Sequence, residues 1–145
     1  FRVIHLGDLT WNKEAELMCP TNRIGTVDLF IVSHHGLNIS NSEVLVHALR
    51  PRVAIMNNGV RKGGVPDTMR VLYSAPGLEN LWQLHVSQVG GGEYAAQELF
   101  VANLGIEPAH EGPANWIKVL VQPDGTFLVT NSRNGFAKIY APRTN

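Results

Sequence analysis

The chain has 145 residues, of which 44% are hydrophobic and 17% charged, and its 12 basic and 12 acidic side chains cancel to a formal net charge of zero. A chain of this size buries roughly two thirds of its unfolded surface, so it can hold a core without disulfides or a structural metal; the single cysteine excludes both an internal disulfide framework and a Cys-rich zinc module. A pI near 7.2 supplies no long-range field for polyanions, and no apolar run approaches the roughly 18 residues needed to cross a bilayer.

Residues 1–6 are nearly all apolar and β-prone and stop at Gly7-Asp8, which predicts a buried strand ending in a loop. Residues 12–18, rich in Lys, Glu, Ala, Leu and Met, predict a short helix. Residues 27–33 (Val-Asp-Leu-Phe-Ile-Val-Ser) make the strongest strand signal, and this run also ends in polar residues, His34-His35-Gly36. Ser40 and Glu43 have capping-box spacing, with Val44, Leu45, Ala48 and Leu49 on one helical face before Pro51 stops the helix. A third strand follows at residues 52–57, then the glycine-rich loop 59–64. Pro66 then opens a helix in which Met69, Leu72 and Tyr73 share a face, and residues 81–86 form a fourth strand. Three strand-loop-helix units up to about residue 87 give an α/β layer. Residues 88–113 contain Gly90-Gly91-Gly92, Pro108 and Pro113 and predict a surface excursion with one helix near 94–100. Strands at 116–122, 126–130 and 137–140, separated by Pro123-Asp124-Gly125 and Asn134-Gly135, predict a C-terminal antiparallel meander. The whole is read as a single domain, 1–145. Phe1 in place of a methionine, leading straight into a strand, reads as a missing N-terminal half.

Two polar clusters sit where strands end, Gly7-Asp8 and Ser33-His34-His35-Gly36. The carboxyl ends of strands in α/β layers are where ligands bind, and an Asp with a neutral imidazole from a neighbouring strand forms part of a metal site. The bland alternatives are a turn-forming or capping Asp and a solvated His pair. His5 reads as a satisfied core residue, and His47 and His85 as structural. His110 belongs to the excursion. Asn57-Asn58-Gly59 could orient a substrate but is first a turn signal. Arg61-Lys62-Gly63-Gly64 could receive a phosphate through backbone N–H groups, although it lacks P-loop spacing. Trp11, Trp82 and Trp116 read as core or rim packing, and Cys19 as inert. The absence of a Gly-x-Ser-x-Gly elbow leaves a serine hydrolase of that type unsupported.

The order strand, Gly7-Asp8, helix with Glu14 and Glu16, strand, Ser33-His34-His35-Gly36, Ser40, helix, Pro51, strand resembles the C-terminal half of metallo-β-lactamase-fold hydrolases. It is most similar to the branch containing the hydrolase domain of bacterial DNA-uptake (competence) channel proteins, over residues 2–87. The resemblance implies an αββα sandwich with two zinc ions in the complete domain and metal-bound hydroxide attacking an ester, a phosphodiester by preference. It assigns Asp8 to the carboxylate that bridges the metals and His35 to the last histidine ligand. His34 is left as the catalytic residue that contacts substrate, because adjacent residues on extended backbone point opposite ways. Leu37 stands where the branch has Ser after His-His-Gly, and Gly64-Val65-Pro66 where it has Gly-His-Pro. The His-x-His-x-Asp-His motif is absent, so residues 1–145 by themselves are expected to lack turnover. The partner implied is a small-molecule or phosphoester substrate; nucleic acid stays open without support from the net charge. The rival expectation is a non-catalytic scaffold or binding module of this or another α/β fold. Compartment and oligomeric state are not legible.

Overall fold

Five short strands pair in parallel, in the order β1 (Val3–His5), β2 (Leu29–Ile31), β3 (Val53–Met56), β4 (Asn80–His85), β5 (Val101–Asn103). Between them run α1 (Trp11–Met18), α2 (Glu43–Leu49) and α3 (Pro66–Tyr73), and a three-stranded antiparallel sheet follows, β6 (Ile117–Val121), β7 (Phe127–Asn131) and β8 (Ala137–Tyr140). The computed structural model describes residues 1–106 and 112–143. No helix among the described residues is long and apolar enough to cross a membrane.

The apolar runs at β2, β3 and β4 become largely buried inner strands covered on both faces, as parallel sheets require. In-register rows cross the sheet: Val3 lies beside Leu29, Leu29 beside Val53 and Val53 beside Asn80, while Ile4, Phe30, Ala54 and Leu81 form the next row. Because side chains alternate along a strand, the two rows serve different cores. Phe30, Ala54 and Leu81 join Leu45, Leu49, Met69 and Leu72 under the helices. Leu29, Val53, Ile55 and Trp82 pack instead against Phe127, Val129 and Tyr140 of the antiparallel sheet. Three layers result: helices, parallel sheet, antiparallel sheet. The mixed α/β expectation and the C-terminal meander hold.

Several local expectations are corrected. The first strand is not buried: β1 is an edge of the sheet, with Val3 and His5 exposed, so His5 is not a core residue. The helix expected at 94–100 is two short 3-10 turns, Gly92–Tyr94 and Glu98–Phe100, followed by the unexpected edge strand β5. Part of the excursion, with His110, lies outside the described residues. The cap of α2 is Ser42, whose hydroxyl accepts from Leu45 N–H; Ser40 is free for another role. Trp82 is fully buried, whereas Trp11 and Trp116 are exposed.

The join between the sheets is polar at one point. Trp82 Nε1 donates to the Tyr140 hydroxyl at 3.0 Å, and that hydroxyl donates to Asn80 Oδ1 at 2.8 Å. Burial, above all, pushes the Tyr140 hydroxyl up to about 12. A folded-state value above the unfolded value of about 10 means that the neutral phenol stabilises the fold fully below pH ~10. That contribution is lost as pH rises from about 10 through about 12. Urea midpoints between pH 8 and 12 should therefore fall steeply for the native chain and less steeply for Tyr140→Phe. Parallel pH profiles would show that Tyr140 is not the group responsible.

Candidate functional site

β1 and β2 are parallel neighbours, so their carboxyl ends emerge side by side. The first leads to Gly7-Asp8 and the second, through Val32, to Ser33-His34-His35-Gly36. One backbone bond joins the clusters: His34 N–H donates to the Gly7 carbonyl at 3.0 Å. Asp8 is exposed, with no hydrogen-bond or ion-pair partner among the described residues.

The His pair does not lie on extended backbone. His34 (φ 50, ψ 40) and His35 (φ 57, ψ 13) are both left-handed and Gly36 follows at φ 84, so alternation cannot assign their directions. Two consecutive non-glycine residues in this region cost roughly 1–2 kcal/mol each, and such turns persist only when the surroundings over-determine them. Here they do. The Asn41 side chain clamps Ser33 from both sides, accepting from its N–H and donating to its carbonyl, each at 2.9 Å. Gly64 N–H donates to the His35 carbonyl at 3.0 Å, and Val65 N–H to that of Gly36 at 3.1 Å.

Asn41 is itself left-handed (φ 64) and 1% exposed. Its N–H and that of Ser42 donate to the two carboxylate oxygens of Glu14, each at 2.7 Å. Glu14 is wholly buried beneath α1. A chain of hydrogen bonds thus runs from Glu14 through Asn41 to Ser33 and the His turn. The sequence reading names Glu14 only as a helix residue of the resembled pattern and Asn41 not at all, although Glu14 sits four residues before Met18 on the apolar face of α1, and a carboxylate in an apolar stripe is a usable signal of a buried role.

The imidazoles differ in what holds them. His35 Nδ1 lies 3.0 Å from the Asn57 carbonyl, which can only accept, so Nδ1 is the donor of that bond and Nε2 is the nitrogen left for another partner. His34 Nδ1 lies 3.3 Å from the Ser40 hydroxyl, which fixes neither tautomer. Asn58 is buried, its amide donating to the His85 carbonyl at 2.8 Å, so it is a structural clamp. His47 pairs with the Ser74 hydroxyl on the helix side. In the glycine-rich loop the Gly64 N–H is taken by His35, leaving one amide fewer for a phosphate, while Arg61 and Lys62 are exposed.

Asp8 and His35 could each give one donor to a cation. Among the described residues no group of three or more His, Cys, Asp or Glu side chains could hold a metal ion. Compared with known proteins, the chain is matched by no family model, no curated protein and no solved structure.

Proposed function

We propose that these residues form one half of the site of a metal-dependent ester hydrolase built on a metallo-β-lactamase-type αββα sandwich. Asp8 and His35 are its zinc donors and His34 the group that faces substrate. The observation that carries the reading is the Nδ1–H of His35 held by the Asn57 carbonyl at 3.0 Å. Metal-binding histidines almost always donate their other ring N–H to a carbonyl or carboxylate, which orients the ring and raises the basicity of the free nitrogen. Two donors fit a zinc ion in kind but not in number, since a catalytic zinc takes about three protein ligands, so the reading requires further donors from outside these residues. A bound ion would supply Lewis acidity, bringing the pKa of its water towards about 7. The chain's own part is to present Nε2 of His35 on a turn held by Asn41 and Gly64, to leave the Asp8 carboxylate unpaired at the end of the neighbouring strand and to hold His34 against Ser40. A phosphodiester is the ester we favour, on the resemblance of the motifs to the DNA-uptake branch.

Zinc titration of residues 1–145, read by the imidazole resonances, tests this. Weak binding is expected, without turnover of bis(4-nitrophenyl) phosphate. His35→Ala or Asp8→Ala should weaken binding about 10-fold or more, whereas His34→Ala should leave it within about 2-fold. Zinc affinity indifferent to His35 and Asp8 would return the pair to a solvated loop on a non-catalytic scaffold, and loss confined to His34→Ala would reverse the roles.

A further inference from the structure

A cavity of about 410 Å³ opens between α1, α2 and α3, walled by Trp11, Ser40, Val44, Thr68 and Val71. We propose that it is a binding site for a mainly apolar small molecule that bears no negative charge and carries one hydrogen-bonding group. The proposal does not rest on the zinc reading. The volume is within the range of about 300–1,000 Å³ typical of small-molecule sites, which combine an apolar lining with a few fixed polar groups.

Three observations define the occupant. Trp11 and Val44 remain 53% and 51% exposed, and Ile39, whose carbonyl accepts from Trp11 N–H at 3.1 Å, is 50% exposed beside them. Apolar groups left in water around a concavity favour an apolar guest. Thr68 is 2% exposed, and its hydroxyl is buried without a hydrogen-bond partner in the described residues. A buried hydroxyl in that state is costly, and a polar atom on the guest would relieve the cost. The charges at the rim argue against a negative charge on the guest. Arg70, the cation of the rim, is bound to Asp67 at 2.9 Å and lies over the Tyr94 ring, while Glu43 stands 3.6 Å from His47. With its cation already paired and a carboxylate at its edge, the cavity disfavours an anion.

Ser40 gives the site a reporter. Its residue walls the cavity while its hydroxyl lies 3.3 Å from His34 Nδ1, so a guest should be sensed at that imidazole.

Nitrogen-proton correlation spectra of residues 1–145 titrated with 2-naphthol test the proposal. Saturable shifts are expected at the Trp11 indole, at the Thr68 and Val71 amides and at the His34 ring. Thr68→Val keeps the shape and removes the hydroxyl, and should weaken 2-naphthol about 5- to 10-fold. Val71→Phe should fill the cavity and abolish the saturable shifts while zinc titrates as in the native chain, which separates this site from the metal reading. 2-Naphthoate should bind about 5-fold more weakly or worse. Shifts that fail to saturate, or that gather on the exposed Leu120 and Ile139, would overturn the proposal. So would equal 2-naphthol affinity in a folded Thr68→Val chain, or a preference for the naphthoate.

Discussion

Glu14→Ala is expected to lower folding stability by about 3–5 kcal/mol, measured by urea unfolding. The side chain is wholly buried and its two oxygens accept at 2.7 Å from separate backbone donors, Asn41 N–H and Ser42 N–H. Hydrogen bonds to a charged group contribute about 1.5–3 kcal/mol each, and the donors left behind lose a partner where water does not reach freely. Both donors lie in the segment that clamps Ser33, so the loss should also spread to the turn that holds His34 and His35. Glu14→Gln keeps one acceptor and turns an amide NH₂ towards the other donor, which places it between the two at about 2 kcal/mol. The expected order is native, then Gln, then Ala, with amide shifts at Ser33, His34 and His35 following the same order. An alanine variant within about 1 kcal/mol of the native chain, its His amides unmoved, would mean that Asn41 and Ser42 hold the turn without the carboxylate.

The succession of strands and helices in the first 87 residues was legible because each strand is a short apolar run closed by Gly, Pro or polar residues, and each helix carries a periodic apolar face. β5 was not. Val101-Ala102-Asn103 is three residues long, too short for any period to show, and it sits in a stretch whose glycines and prolines read as loop. Position at the sheet edge was equally hidden: residues 1–6 have the composition of a central strand, but β1 pairs on one side only and exposes Val3 and His5. The spacing of Ser40 and Glu43 points to Ser40 as the cap of α2, whereas the structure uses Ser42. The left-handed Asn41 between them decides, because it turns Ser42 onto the helix and leaves the Ser40 hydroxyl near His34.

For the site, the meeting of Gly7-Asp8 with the His turn followed from one physical rule, that parallel neighbours finish on the same side of a sheet. The backbone of the turn could not be foreseen in the same way. Nothing in a His-His pair demands positive φ, and only Gly36 hints at it. The conformation is imposed by Asn41, Gly64 and, at one remove, Glu14, which come from other loops and from a helix. Sequence spacing identifies residues that could serve; it does not show which distant amides will hold them.

The pressure of those distant loops on the turn can be measured at a single position. Gly63 has φ 85, and a Cβ there would stand 1.8 Å from the His35 carbonyl oxygen and 2.6 Å from its carbon. That neighbour is backbone and cannot swing aside. It is also held in place, since Gly64 N–H donates to the same oxygen and the Ser87 hydroxyl donates to the Gly63 carbonyl at 2.7 Å. Gly77 provides the control, with φ 84 and nothing within 4 Å of its notional Cβ. Gly77→Ala should therefore cost about 1 kcal/mol, the penalty of left-handed backbone alone. Gly63→Ala carries that penalty and the contact as well, and should cost more than about 3 kcal/mol, or survive only by displacing the His turn. In the second case the His35 Nδ1 resonance would move away from its hydrogen-bonded position as the link to the Asn57 carbonyl breaks, and zinc affinity would fall with it. Equal costs at the two glycines, with the His35 resonance unchanged, would show that the glycine-rich loop can move off the turn and takes no part in holding it.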